Sequence, residues 1–237
     1  MARGRAASYD DQRGMILAHA ASLFAQRGYP GTSMNEVAIA CGLSKPTIYH
    51  YFRDKYDLLV NIADDHVSRL VALVDEVDAQ PLKPEPRLRT LIECFVREYA
   101  GAQNAHRVLT EDTRFLDGDD GARILGKERH VVAVFAASVA LLRPELQRAA
   151  LDKPLAMLLF GMINWMFTWL KPDGTLDYEA MAPIVADLFL GGLPAVRMAP
   201  PVVAAFVTPA IAPASAPASA SASASASAPI TTRRRLR

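Results

Sequence analysis

Apolar residues recur along this chain at the three- and four-residue spacing of a helix buried on one face, and the pattern predicts an all-α fold of about nine helices. Ile16, Leu17, Ala20, Leu23 and Phe24 line a first helix from about Asp10 to Arg27, closed by Gly28 and the turn Tyr29-Pro30-Gly31. Two short helices follow within residues 33–52, broken at Cys41-Gly42-Leu43. Asp54 caps a long helix running to about Ala79, with Leu58, Leu59, Ile62, Val67, Leu70, Val71, Val74 and Val77 apolar. Pro81, Pro84 and Pro86 mark the next loop. Leu88, Leu91, Ile92, Phe95, Val96 and Tyr99 predict a helix from Arg87 to about Ala100, with a break at Gly101 and a shorter helix over 105–116. The turn residues 117–121 lead into a helix ending at Leu142, before Pro144.

The segment 154–170 is apolar on every side, yet it is shorter than the ~20 residues of a membrane span and is closed by Lys171-Pro172-Asp173-Gly174. Such a helix in a water-soluble chain is expected to be buried all round. One protomer rarely supplies that cover. Pairing it, together with the last helix (about Asp177 to Leu190), against a second copy predicts a homodimer through a four-helix bundle. From Leu193 the composition turns to Pro, Ala and Ser and ends in Arg233-Arg234-Arg235-Leu236-Arg237, which predicts a disordered low-complexity tail over 193–237 with a basic end. Residues 1–8 read as a flexible basic arm.

The stretch 33–52 carries the most specific chemistry. Ser33 with Glu36 three residues on is a capping box, and Val37, Ile39 and Ala40 give the first short helix its apolar positions. Gly42 ends that helix; Ser44 opens the second, with Pro46 in its first turn where no helical hydrogen bond is lost. Ile48 and Phe52, four apart, face inward, leaving Lys45, Thr47, Tyr49 and His50 outward near a helix start. Those groups suit hydrogen bonds to phosphate oxygens and base edges, so the unit reads as a helix-turn-helix that binds duplex DNA.

The run TSMNEVAIACGLSKPTIYHYFRDKYDLL resembles the DNA-binding signature of the tetracycline-repressor (TetR) family, closely from about Met15 to Leu59 and more loosely beyond. The resemblance implies a DNA-binding domain over 9–53, a helical effector-binding and dimerisation domain over 54–192, and signal transfer by the Asp54–Ala79 helix. It assigns operator contacts to Thr32, Ser33, Ser44, Lys45, Pro46, Thr47, Tyr49, His50 and Lys55, the last matching a lysine that meets a phosphate. The run GMINWMFTWLKPDGTLDYEAMAPIVADLFLGGL is similar to the C-terminal helices of family members governing fatty-acid, aromatic-acid or steroid catabolism, several of which respond to acyl-CoA thioesters.

Charge sharpens this division. The net charge of +1 splits into 7 Lys/Arg against 5 Asp/Glu over residues 1–60, 14 against 20 over 61–192, and 5 against none over 193–237. A mildly basic head on an acidic body is compatible with nucleic-acid binding. A small effector needs an apolar, aromatic-lined cavity with few polar groups, and the candidates are Phe95, His106, Arg107, Arg114, Phe160, Met162, Asn164, Trp165 and Trp169, though a Met and aromatic stripe also serves as plain core. For the phosphates of an acyl-CoA, Arg107, Arg114, Arg123, Lys127 and Arg129 are the available cations, although the run 123–130 equally suits a solvated face. His66, Asp64 and Asp65 read as solvated or core-edge residues, and Cys41 and Cys94 as small buried hydrophobes of a reducing cytoplasm. No cofactor, metal set or membrane partner is expected, and no GxSxG, P-loop or GxGxxG suggests an enzyme. The alternatives are a repressor sensing lipophilic cations for an efflux gene, and a helical adaptor that binds no DNA.

Overall fold

A computed structural model of the chain describes residues 2–170 and 174–197. Among these residues there are nine α-helices and no strand: α1 (Ala2–Arg27), α2 (Met34–Ala40), α3 (Lys45–Tyr51), α4 (Lys55–Asp78), α5 (Pro84–Glu111), α6 (Gly118–Leu142), α7 (Pro144–Arg148), α8 (Asp152–Trp165) and α9 (Tyr178–Gly192). Short 3-10 turns at Thr113–Phe115, Met166–Thr168 and Leu193–Ala195 finish three of them. No helix among the described residues is long and apolar enough to cross a membrane.

Two apolar cores organise the fold. Ile16, Phe24, Val37, Ile48, Phe52, Leu58, Leu59 and Ile62 form the smaller one, which clamps α1, α2 and α3 to the start of α4. The larger one, built on Leu88, Leu91, Phe95, Phe135, Leu159, Phe160 and Phe189, joins the rest of α4 to α5, α6, α8 and α9. A small third cluster of Ala63, Val67, Leu109 and Ile124 lies on α4, α5 and α6. Polar groups hold head to body: the Tyr29 N–H donates to Asp112 (3.3 Å), and the Tyr56 hydroxyl donates to Asp120 (3.1 Å) while accepting the Asp117 N–H (2.8 Å). Burial holds the Asp112 carboxyl above its ordinary range.

Several boundaries differ from the sequence expectation. The residues expected as a flexible arm, from Ala2 on, form the first turns of α1. The expected break after Ala100 is a kink rather than a gap: α5 runs through, with Ala102 alone out of helical geometry (φ −119°, ψ 15°). Pro144 starts the unexpected α7, because a proline in a first turn loses no hydrogen bond. The body continues past residue 192, since Leu193 is buried and the Arg143 guanidinium donates to the carbonyls of Leu193 and Val196. From Met198 the expected tail lies outside the described residues. Helix α8 is not buried on every side, as Leu158, Met162 and Trp165 stand exposed along one stripe. Ile39 also faces solvent, and Cys41 and Cys94 are half-buried free thiols rather than core residues.

Candidate DNA-binding face and effector cavity

The helix-turn-helix is held by its own short-range chemistry. The Ser33 N–H donates to Glu36 (2.8 Å) and the Ser33 hydroxyl accepts the Glu36 N–H (3.3 Å), closing the capping box. The Ser33 hydroxyl also donates to the Glu36 carboxylate (2.8 Å), and that bond, with the Ser33 N–H and then Arg27 at 2.6 Å, holds the Glu36 carboxyl below its ordinary range. Gly42 takes a left-handed φ of 64°, letting the chain turn sharply while the Leu43 N–H returns to the Ala38 carbonyl. The Ser44 hydroxyl accepts the Thr47 N–H (3.2 Å) and starts α3. Ile48 and Phe52 are fully buried, which fixes the phase of α3 and leaves Lys45, Pro46, Tyr49 and His50 exposed. The Lys45 ammonium sits 5.9 Å above the Tyr49 ring, and His50 meets Tyr9 edge-on at 6.3 Å.

At the body's centre lies a cavity of about 640 Å³, within the usual range for small-molecule sites. Its buried walls come from Val67 and Leu70 of α4, Phe95, Tyr99 and His106 of α5, Val131 of α6 and Phe160 of α8. Its rim is polar and exposed, with Arg129, Gln147 and Lys153 beside the half-buried Glu128 and Asp152. Desolvation raises the Glu128 carboxyl. Inside, the Tyr99 hydroxyl donates to Asn164 (3.1 Å), and the Tyr99 ring stacks on His106 at 4.0 Å. His66 of α4 approaches His106 at 3.3 Å; burial first, then the like charge of His106 and Arg69, depress His66 to about 3, and burial depresses His106 to about 4.

Comparison with known proteins agrees with both halves. Residues 16–62 match the family described as bacterial regulatory proteins of the tetR family, and residues 81–193 match the tetracyclin repressor-like C-terminal domain. A crystal structure of a TetR-family transcriptional regulator from Bordetella parapertussis is 32% identical, superposes with a TM-score of 0.72, and is matched over 79% of this chain and 98% of its own. The chain belongs to the TetR family. As a TetR-family transcriptional regulator it is similar to the transcriptional activator FasR of Mycolicibacterium smegmatis, 26% identical over 196 residues, 81% of this chain and 87% of FasR. It is also similar to AibR, whose structure is in complex with isovaleryl coenzyme A and operator DNA (27% identity, TM-score 0.66, 75% of this chain and 97% of that one).

Within this TetR-family scaffold, Ser33, Ser44, Lys45, Pro46, Thr47, Tyr49 and His50 lie on α2, α3 and their caps, all exposed except the half-buried Thr47. Two other expected contacts have side chains engaged within the protein. Thr32 is buried, its hydroxyl donating to the Gly28 carbonyl (3.1 Å), so its side chain fastens the turn after α1. The Lys55 ammonium donates to the carbonyls of Tyr29 (2.9 Å) and Pro30 (3.4 Å) and lies over the Tyr29 ring, so the cation at that helix start is explained by internal acceptors.

Of the expected effector residues, Phe95, His106, Phe160 and Asn164 line the cavity, and Arg129 joins them from the cation set. Met162, Trp165 and Trp169 point outward, the two tryptophans more than half exposed. Arg107 is engaged by Glu111 and lies over Phe167, and Arg114 lies over Phe115. Arg123 and Lys127 both pair with Asp64, tying α6 to α4 instead of facing a ligand. Sequence reasoning missed Val67, Leu70, Glu128 and Lys153. The first two were legible as apolar positions of α4, but nothing in one helix says which neighbour leaves a void beside it.

Proposed function

We propose that this TetR-family regulator is a cytoplasmic homodimer that represses transcription by seating α3 of each protomer in the major groove of a roughly palindromic operator, and that an amphiphilic effector of the acyl-thioester class releases it. The observation that carries this reading is the double membership of α4. Leu58, Leu59 and Ile62 at its start belong to the head core, whereas Val67 and Leu70 two turns on form the cavity wall. A ligand that displaces the second group moves the first, because packed apolar cores shift as units. Lys45, Thr47, Tyr49 and His50 are the groups for base edges and phosphates, with Ser33, Ser44 and Pro46 flanking them.

The cavity supports the effector class by its gradient: an apolar, aromatic interior suits an acyl chain, and Arg129 and Lys153 at the rim suit phosphates. The AibR complex with isovaleryl coenzyme A supports the same class. The dimer reading rests on the exposed apolar stripes of Leu158, Met162 and Trp165 on α8 and of Ile184 and Leu188 on α9, which a second copy would cover. Glu128 and Asp152 at the same rim favour a lipophilic cation instead.

Mobility shift on the chain's own upstream region tests the DNA half: Lys45→Ala and Tyr49→Ala are each expected to weaken binding by about 1–3 kcal/mol, and unchanged affinity in both removes α3 as the reading helix. Titration calorimetry with a panel of acyl-CoAs tests the effector half. Heat from none of them, with heat from a lipophilic cation, selects the second reading.

A further inference from the structure

His106 in the buried cavity wall pairs with His66 of α4, and the apolar-chain reading leaves the pair unused. The rings of His66 and His106 are 0% and 3% exposed, and each keeps one nitrogen, Nδ1 of His66 and Nε2 of His106, with no hydrogen-bond partner among the described residues. Their inner nitrogens, His66 Nε2 and His106 Nδ1, lie 3.3 Å apart and share a single proton when both rings are neutral. Two arrangements are open. In one, His66 Nε2–H donates to His106 Nδ1, so His106 presents an Nε2–H and His66 keeps a bare Nδ1. In the other, His106 Nδ1–H donates, so His66 is left with an orphaned Nδ1–H and His106 with a bare Nε2.

An orphaned buried N–H is rarer in proteins than an unused acceptor. His66 is not among the residues that line this cavity, whereas His106 is part of its wall. The first arrangement therefore puts the pair's unsatisfied donor on the ring that belongs to the wall, with Nε2 itself shielded, so that an occupant accepts from it once the wall side chains give way. Two neighbours reinforce this. Tyr99 stacks on the His106 ring at 4.0 Å and 27°, fixing its plane, and the Tyr99 hydroxyl is already spent on Asn164. The same cavity is lined by apolar Phe95, Leu109 and Phe160, with Thr110, Gln147 and Asn164 as its uncharged polar side chains besides Tyr99 and His106.

We propose that His106 Nε2–H reads a carbonyl-type acceptor oxygen on the effector, and that His66 is the positioning residue that holds His106 in the tautomer able to donate. This deepens the amphiphile reading above and rests on it: the chain lies in the apolar interior, the charged end at the rim, and the acceptor oxygen against His106. It also gives the site a reason to prefer a thioester or ketone over a plain hydrocarbon. Occupancy keeps the shared proton in the His66–His106 hydrogen bond, which joins α5 to α4, the helix of the head.

The full-length chain with nitrogen-15-labelled imidazoles tests the donor without any ligand: nitrogen–proton correlation spectra at neutral pH are expected to show Nε2–H on both rings. A bare Nε2 on His106 overturns the proposal. In His66→Phe the His106 signals should become a mixture of tautomers, and a ring still wholly Nε2–H there overturns the role given to His66. The second arm compares lauroyl-CoA with S-dodecyl-CoA, a thioether lacking only the carbonyl oxygen. Wild type should prefer lauroyl-CoA by on the order of tenfold to a hundredfold, the loss of one buried hydrogen bond. His106→Phe should bind both alike, and His106→Gln, which keeps a donor, should restore part of the preference and checks that the site tolerates change. Equal affinity in wild type, or a preference surviving in His106→Phe, overturns the proposal. If neither coenzyme A compound binds, the acyl-thioester reading fails separately, and the tautomer spectra decide the donor: Nε2–H on both rings upholds it, a bare His106 Nε2 ends it.

Discussion

The same histidine pair makes stability depend on pH in a way that can be worked through. Imidazole titrates near 6.5 in an unfolded chain, whereas burial lowers His66 to about 3 and His106 to about 4 in the folded one. Both folded values are depressed, so the unfolded chain takes up protons first as the pH falls. The stability these neutral rings retain is therefore complete above the unfolded value and is lost as pH descends from about 6.5 toward 3–4. Going from about pH 7.5 to about pH 5.5, the unfolded ring changes from roughly one-tenth to nine-tenths protonated while the folded ring stays neutral, which costs about 1.4 kcal/mol per histidine and about 3 kcal/mol for the pair. Against a typical domain stability of about 5–15 kcal/mol that is a large fraction. Urea unfolding followed by far-ultraviolet circular dichroism at several pH values measures it, with the double variant His66→Phe/His106→Phe as reference. The difference in slope between wild type and variant isolates the pair from carboxylates and from the other histidines. Equal slopes over that interval would refute the claim that both rings are buried and neutral.

Other outcomes follow from single contacts. Ile48→Ala, which empties a fully buried position under α3, should cost about 2–5 kcal/mol and abolish operator binding with the fold of the head, whereas Tyr49→Ala on the opposite face should leave the unfolding midpoint nearly unchanged; equal destabilisation in the two would show that the phase of α3 is wrong. Gly31→Ala would bring a Cβ to 2.6 Å from the Arg27 backbone carbonyl, which cannot swing away, and should cost about 1–3 kcal/mol in a thermal or urea melt despite the small size of the change. Leu158→Glu with Leu188→Glu places charges on the exposed stripes of α8 and α9 and should convert a dimer to a monomer in sedimentation velocity while leaving the helical signal intact; an unaltered sedimentation coefficient would move the dimer interface elsewhere.

The head was legible because its determinants are local. A capping serine, Glu36 three residues later, a glycine with a left-handed φ, a second capping serine and a proline in the next first turn are all read within 20 residues, and each is satisfied by partners in that same stretch. Where the head depends on a distant neighbour, local reading fails. The resemblance assigns Lys55 to a phosphate, but its acceptors are carbonyls at Tyr29 and Pro30 on the turn after α1. Thr32 sits beside an exposed cap, yet its hydroxyl folds back on Gly28 and Leu23.

The effector site is nonlocal throughout, and that is why only part of it was found. Helix α8 is apolar around its whole circumference, so periodicity carries no phase, and Phe160 and Met162 are equally plausible inward residues until α5 and α6 are placed beside them. The packing then turns Phe160 and Asn164 to the cavity and Trp165 to the outside. The cations sort by a competition that sequence does not show: Asp64 on α4 takes Arg123 and Lys127, and Glu111 takes Arg107, which leaves Arg129 and the unforeseen Lys153 for the rim. The Asp64 pairs have a consequence for how the regulator works. They bind α4 to α6 on the head side of the cavity, while His66 binds it to α5 within two residues of the same point. Under the proposed mechanism, an effector that pushes Val67 and Leu70 outward would turn α4 about that region rather than slide it, and the rotation would reach α3 through Leu58, Leu59 and Ile62 against Ile48 and Phe52.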